Sequence, residues 1–452
     1  MQHPGGDIHA TRSPAEPADG VDVLIVGGGP SGSAAAILLA RQGRRVLLVE
    51  KDRHPRFHIG ESLLPMTMPL LEELGVREQI ERLGVIKRGA DFPSAGPLGY
   101  QVFSFKRSLN PTWTHALQIR RQDFDQVLFE AARAAGVTTL EETVISEVTF
   151  GAAGIEARGH GRDGAPVAYR ARYLIDASGR DTLLGRALHL KRRHRSHQSA
   201  AMYAHFSGVR RRDGEDAGNI SIYRVEDGWV WVIPLPSGIT SIGLVCGPNT
   251  LRQRSGDRAE FLRRTLQAIP GLAERLAAPQ IVGNLQATGN YSYQCARFAG
   301  PKWIMAGDAA AFIDPIFSTG VHIGLYSAMA AARLVDTVLE EPRLERRLQR
   351  RYSREQRAAL RRVSWFILRF NAPVMSRLFA NPRNDWRVEE AIISMLAGDL
   401  YRDGGIRWRL RLFKLIYLIA CLGDLPAALR GWRDRLRRVR EVFVTEPAGP
   451  EA

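Results

Sequence analysis

Apolar residues in this chain come in short blocks, and the spacing within and between them changes along its length. Val21 to Val26 is rich in β-branched residues and reads as a parallel strand buried on both faces. It is followed by GGGPSG, a helix over Ser31–Gln42, and a second strand, RRVLLVEK, that ends in Glu50. This is a βαβ unit. The segment HIGESLLP then opens a loop into a helix that ends near Gly75, and a further helix is expected over Phe124–Ala135. The segments VTTLEE, TVISEVTF, GIEARGHG and PVAYRARYLIDASG alternate apolar and polar residues between glycine turns, which predicts hairpins forming a sheet layer inserted beside the parallel one. Between Ala200 and Gly247 the period is two, with SIYRV, WVWVIP and TSIGLVCG separated by EDG and PSG turns, as in an antiparallel meander. A helix over Asp257–Ala277, a buried strand in KWIMAGDAA and a long apolar helix from Ser318 towards Leu339 follow. The rest is mostly Arg-rich amphipathic helix, with no internal repeat.

These elements predict an α/β fold in several units. A Pro/Gly/Asp-rich tail covers 1–20. A discontinuous dinucleotide-binding domain spans 21–85, 115–190 and 285–340. A β-sheet substrate domain spans 86–114 and 191–284, and a helical, basic C-terminal region spans 341–452. The tail lacks a charged start followed by an apolar block, so it does not read as a signal peptide. The longest apolar candidate, Leu412–Leu422, is shorter than the roughly 18 residues of a membrane span and carries Lys414, so no membrane contact is expected.

Charge changes the picture in one respect. The chain carries 63 Lys and Arg against 47 Asp and Glu, a net +16, and only six of the cations are Lys: Lys51, Lys87, Lys106, Lys191, Lys302 and Lys414. No nucleic-acid-binding pattern accompanies the charge, so acidic proteins or anionic surfaces are the expected partners. Cys246, Cys295 and Cys421 are too scattered for disulfides or zinc, which fits a cytoplasmic protein. His194 and His197 have HxxH spacing but lie in the basic run KRRHRSHQ without carboxylates, as in a solvated loop.

The chemistry begins at Gly27, Gly29 and Gly32, a G-x-G-x-x-G between a strand and a helix, with Ser31 inside it and Glu50 eighteen residues beyond. In that context the glycines admit a pyrophosphate to a helix N-terminus, and Glu50 can accept from a ribose 2′-OH, which favours NAD or FAD over NADP. Far downstream, Gly307 and Asp308 follow a strand. Their spacing resembles the second fingerprint of glutathione-reductase-like flavoproteins, in which this Asp binds the ribityl chain. Arg121 in RRQDFDQVL resembles the R-x-x-F-D segment of the hydroxylase branch of that superfamily, which also touches the flavin, and DASG at Asp176–Gly179 completes the set. The resemblance implies bound FAD.

Three narrower motifs resemble the flavin-dependent halogenases. Trp229, Trp231, Ile233 and Pro234 form W-x-W-x-I-P; Phe312, Pro315, Ser318 and Gly320 form F-x-x-P-x-x-S-x-G; and HIGESLLP is similar to the matching loop of that family. Lys87 sits where the family's catalytic lysine lies. An amine can be neutral, hydrogen-bond an oxidant or become a chloramine, which an Arg guanidinium cannot. The resemblance implies a glutathione-reductase-like FAD-binding Rossmann domain with an inserted antiparallel sheet and a helical C-terminal region. It implies FAD used as FADH2, O2, and chloride or bromide held by the backbone N–H groups of Thr319 and Gly320. Hypohalous acid formed through a flavin hydroperoxide then passes to Lys87, while the tryptophans keep substrate from the flavin. A separate NAD(P)H flavin reductase is expected as partner.

The tryptophan halogenases carry a Glu before the S-T-G step and a GGGTAGW start, where this chain has Phe317 and GGGPSGS. That departure points to a phenol- or pyrrole-like ring, free or bound to an acidic acyl or peptidyl carrier protein. Three alternatives remain open on sequence: an FAD-dependent aromatic hydroxylase, a prenyl-reductase-type flavoprotein, and a non-catalytic flavoprotein scaffold. W-x-W-x-I-P argues against the first two.

Overall fold

A computed structural model describes residues 20–94, 99–194, 199–247, 256–276, 278–289, 292–380 and 382–424, with isolated positions 250, 426, 429 and 433. The expected tail up to residue 19, His197, and Arg435, Arg437, Arg438 and Arg440 of the basic C-terminal region lie outside the described residues.

Val21–Val26 is the centre of a parallel sheet, flanked by Val46–Val49 on one side and Pro166–Asp176 on the other, with Trp303–Met305 and Thr138–Leu140 next outward. Helix α1, Pro30–Arg41, follows the first strand, and Gly32 fixes how closely it starts. A Cβ there would lie 1.8 Å from the Gly27 carbonyl oxygen, so only glycine lets helix and strand meet. Helix α2, Arg121–Ala134, begins a turn earlier than the apolar pattern indicates, because Arg121 closes an i,i+4 ion pair with Asp125 in its first turn.

Thr138–Leu140 pairs parallel with Val46–Val49 and extends the main sheet, where the alternation had predicted a hairpin arm. Val144–Phe150 and Ile155–His160 do form the expected antiparallel layer. It runs into Pro166–Asp176, whose first half pairs antiparallel with that layer and whose second half, from Ala171, pairs parallel with Val21–Val26. The two layers are one sheet.

The meander between 200 and 247 forms as expected. Gln280–Gly289 extends it at one edge, crossing the expected boundary at 284/285. At the other edge Gly89–Pro93 joins Ile220–Val225 in parallel. One face of this seven-stranded sheet packs Trp229, Trp231, Phe92 and Phe103 against Phe366, Phe370 and Phe379 of the C-terminal helices. The other covers Phe261 and Leu262 of a helix at Arg258–Gln267. That helix ends ten residues before the expected Ala277 because Pro270 and the left-handed Gly271 cannot continue it.

Three longer helices complete the fold: α3 (Thr319–Glu340), α4 (Glu345–Ile367) and α5 (Ile406–Gly423). No helix among the described residues is long and apolar enough to cross a membrane, and no group of His, Cys, Asp or Glu among them could hold a metal.

Candidate functional site

The parallel strands deliver Gly27, Glu50, Ser178 and Asp308 past their C-terminal ends into one cavity of about 550 Å³, the usual location of a ligand in an open α/β sheet. Gly29, Ser31, Arg121 and Gly320 line it as well. Gly27 has φ +106°, and a Cβ there would press 2.3 Å from the Ala177 carbonyl oxygen. Gly29 caps α1 with no side-chain hydrogen bond, no acidic residue follows in the first turn, and a Cβ at Gly29 would meet only an Arg56 nitrogen at 3.5 Å. The helix start is therefore open to the cavity with its N–H groups turned outward, a fit for pyrophosphate.

Glu50 is buried and helps build the loop around this helix start. Its Oε2 accepts from the Gly28 N–H at 2.7 Å and from Arg56 at 3.2 Å, and its Oε1 from the Asp52 N–H at 3.0 Å. A carboxylate has about four acceptor sites, so it retains capacity towards a sugar hydroxyl. The second fingerprint abuts the first: Gly307 is left-handed at φ +59°, and a Cβ on it would lie 2.6 Å from Ser31 Oγ. Burial pushes the Asp308 carboxyl up to about 6, with Arg121 and Arg180 pulling the other way. Among the described residues no side-chain hydrogen bond engages that carboxylate, which faces the cavity as an acceptor for a polyol. Open helix start, close glycines and free acceptor together fit FAD.

Arg121 lines the cavity with its guanidinium already engaged. It donates to both oxygens of Asp125, at 2.7 and 3.0 Å, and to the Ile59 carbonyl at 2.6 Å. Burial by itself would raise the Asp125 carboxyl, but Arg121, with His58 and Arg56, holds it below the ordinary range. Arg56 bridges Asp125 and Glu50, so the network ties the HIGESLLP loop to the nucleotide side of the cavity.

Lys87 ends the strand Val85–Lys87, which pairs with Ala116–Gln118. Its side chain is 1% exposed. Nζ donates to Ser62 Oγ at 2.9 Å and to the Leu63 carbonyl at 3.0 Å, and it lies 5.3 Å from the Phe105 ring centroid. No carboxylate among the described residues faces it, and burial lowers its pKa to about 7. Beside it is a void of about 10 Å³, room for about one water, whose walls include Phe105, Ile222, Ile316, Phe317 and Ser318.

The segment from Phe312 to Gly320 separates the two spaces: Ile316 to Ser318 face the Lys87 void and Gly320 faces the large cavity. Ser318 is left-handed at φ +56° and caps α3 without a side-chain bond; Thr319 is buried behind it, and a Cβ on Gly320 would meet nothing within 4 Å. Phe312 packs near Arg180, and Pro315 opens a short turn capped by Asp314, which accepts from the Ile316 N–H at 3.2 Å. The tryptophans stand behind this wall and line neither space. Trp229 Nε1 donates to Asp314 at 3.0 Å, which braces the turn, and Trp231 donates to Ser241 at 3.1 Å across its own sheet. Ile233 and Pro234 continue that buried strand.

Sequence reading passed over Arg56, His58 and Arg180, although all three line the cavity. It also missed the pair of His205 with the buried Glu61, 2.7 Å apart across 144 residues. Glu61 lies inside the quoted HIGESLLP motif; nothing local marks His205.

Residues 20–366 match the family described as FAD binding domain. The flavin-dependent halogenase armH3 of Armillaria mellea is 32% identical over 347 residues, covering 70% of this chain and 67% of that protein. A tryptophan 2-halogenase of Chondromyces crocatus is 33% identical, covering 70% and 61%. A 1H-pyrrole-2-carbonyl-[peptidyl-carrier protein] chlorinase of Pseudomonas fluorescens is 29% identical, covering 84% and 89%. Similarity alone thus does not separate ring classes, and several relatives extend beyond the matched region. Among solved structures, a flavoprotein/dehydrogenase from Cytophaga hutchinsonii aligns with TM-score 0.81 at 25% identity over 89% of this chain and 99% of that one. The flavin-dependent brominase Bmp2 aligns with TM-score 0.77 at 25% identity over 88% and 98%. With an FAD-binding domain over most of its length and relatives of this kind, the chain belongs to the flavin-dependent halogenases, a family of enzymes.

Proposed function

We propose that this chain halogenates an electron-rich aromatic ring of phenol or pyrrole type, using reduced FAD, O2 and chloride or bromide, and that the ring arrives on an acidic carrier protein. The observation that carries this reading is the buried, uncompensated amine of Lys87 beside a void walled by Ile316 to Ser318, one step from the flavin cavity. Reduced FAD, when bound, would supply two electrons and two protons, so that O2, halide and one further proton leave as hypohalous acid and water.

The protein's own groups do the rest. The N–H groups of Thr319 and Gly320, at the uncapped start of α3, hold the halide. The network of Arg56, Asp125 and Arg121 fixes the loop that carries Ser62, and Ser62 aims the Lys87 amine. An amine whose pKa is about 7 is half neutral at neutral pH. As ammonium it donates a hydrogen bond to the oxidant. As free amine it reacts with hypohalous acid to give an N-halo amine and water, and the ring then takes the halogen and returns a proton to nitrogen. The void walled by Ile316 to Ser318 has room for about one water, so no ring passes it towards the flavin.

The carrier-bound ring is supported by the relative that chlorinates a pyrrole on a peptidyl carrier protein. One complete dinucleotide fingerprint supports reliance on a separate reductase. The test is the purified chain with FAD, NADH, a flavin reductase, O2, NaBr or NaCl, and phenols and pyrroles, free and carrier-bound, followed by mass spectrometry. Halogenated product that requires the added reductase is expected. Hydroxylated product without halide, or NADH oxidation by the chain alone, would put the hydroxylase reading in its place.

A further inference from the structure

Helices α4 and α5 enclose an open groove of about 920 Å³, lined by residues other than those of the nucleotide cavity. Among the described residues eight Lys or Arg side chains line it, including Arg351, Arg354, Arg361, Arg407, Arg411 and Lys414, against the single carboxylate of Glu355. Arg351, Arg354, Arg361 and Arg411 form no ion pair among the described residues. Lys414 is pushed below its ordinary range by burial and by the fields of Arg369, Arg362 and Arg411. The floor is aromatic and apolar, with Trp365, Leu368 and Leu410. Beyond the groove, α5 carries Leu415, Leu418, Ile419 and Leu422, all more than half exposed and spaced i, i+3, i+4, i+7 along one helical stripe. Of the basic triplet Arg407, Arg409 and Arg411, the first and last face the groove, while Arg409 donates to the Trp386 and Gly405 carbonyls.

Two chain segments serve both the groove and the reaction site. Ile313 and Leu400 form part of its floor, and Ile316 and Leu396, three and four residues away in the same two segments, form the wall of the Lys87 void. Whatever binds in the groove rests on segments that also wall the Lys87 void. A concave cleft with its cations on the inner walls suits a convex, acidic helix; a flat bilayer would reach only the rim.

We propose that this groove docks an acidic amphipathic helix of the carrier protein that delivers the ring. The carboxylates of that helix meet the arginines, and its apolar edge covers the exposed stripe of α5. The inference rests on the carrier-bound form of the function proposed above.

The test compares wild type with the double variant Arg361→Glu/Arg411→Glu, both positions exposed, and with the control Arg263→Glu on the helix behind the substrate sheet. The probe is an acidic peptidyl carrier protein, phosphopantetheinylated and loaded with a pyrrole-2-carbonyl group. Binding is read by fluorescence anisotropy at 50 and 300 mM NaCl, and turnover is read on the loaded carrier and on a free phenol. In the double variant, carrier affinity and kcat/KM on the loaded carrier should fall at least about tenfold, with the loss shrinking at high salt, while the free phenol and the control variant are unaffected. Equal carrier affinity in wild type and double variant overturns the proposal, as does no binding by wild type. Halogenation of free rings alone, with no reaction on the carrier, removes the carrier and leaves the ring chemistry standing. Binding to phosphatidylglycerol vesicles that depends on Arg361 and Arg411, with none to the carrier, reassigns the groove to a membrane surface.

Discussion

Replacing Lys87 with Met keeps the length of the side chain and removes the ionisable group, and the consequence for stability depends on pH. The unfolded lysine titrates near 10.5 and the folded one near 7. Between those values the unfolded chain holds a proton that the folded chain has lost, so wild-type stability rises with pH. Relative to an always-neutral side chain, the buried amine costs about 4 kcal/mol at pH 7 and about 2 kcal/mol at pH 9. The variant also loses the bonds to Ser62 and Leu63, worth about 1 kcal/mol or more each, but that loss is the same at both pH values and drops out of the comparison. Urea unfolding followed by tryptophan fluorescence should therefore find the free-energy difference between Lys87→Met and wild type shifting by about 2 kcal/mol in favour of wild type from pH 7 to pH 9. A difference that stays constant across that range would mean that Lys87 is protonated and compensated in the folded protein, and the neutral-amine chemistry would lose its basis.

Gly29→Trp should fold, since its Cβ meets only Arg56 at 3.5 Å, yet lose FAD binding in a fluorescence titration because the indole occupies the phosphate approach. The folded pKa of Asp308, about 6, lies above the unfolded 3.8, so apoprotein stability should fall as pH rises from about 4 to 6. Thermal midpoints across that range should lose this fall in Asp308→Asn. Trp229→Phe removes the donor to Asp314 and should cost about 1 kcal/mol, with halogenation reduced several-fold and FAD affinity unchanged; an equal loss of FAD binding would show that the tryptophan serves the cavity and not the turn.

The parts legible in the sequence were those set by local sterics. Gly27 and Gly32 announce a strand and helix packed too closely for a Cβ, and the alternation from Ala200 to Gly247 announces a half-covered sheet. What escaped depends on partners distant along the chain. The alternation around Thr138 has the same period whether it pairs in a hairpin or beside Val46–Val49, and only the second buries it. Pro166–Asp176 changes partners halfway along, which no period records. Lys87 stood out by composition, yet its burial on Ser62 and Leu63 comes from a loop 25 residues upstream. The tryptophan motif marked the right strand, but bracing of the Asp314 turn by Trp229 is a contact across 85 residues. The α4–α5 groove was visible only as scattered arginines until two helices faced each other.

The most direct measurement follows flavin and product together. Wild type, Lys87→Met and Lys87→Arg are mixed with reduced FAD, O2 and NaBr in the presence of a reactive ring, recording flavin reoxidation by absorbance and brominated ring by mass spectrometry. All three proteins should reoxidise the flavin at similar rates, because the large cavity lies across the Ile316–Gly320 wall from residue 87, while both variants should yield at least about a hundredfold less brominated ring. Brominated product at the wild-type level from Lys87→Met would contradict the assignment of the amine as the group that delivers halogen to the ring.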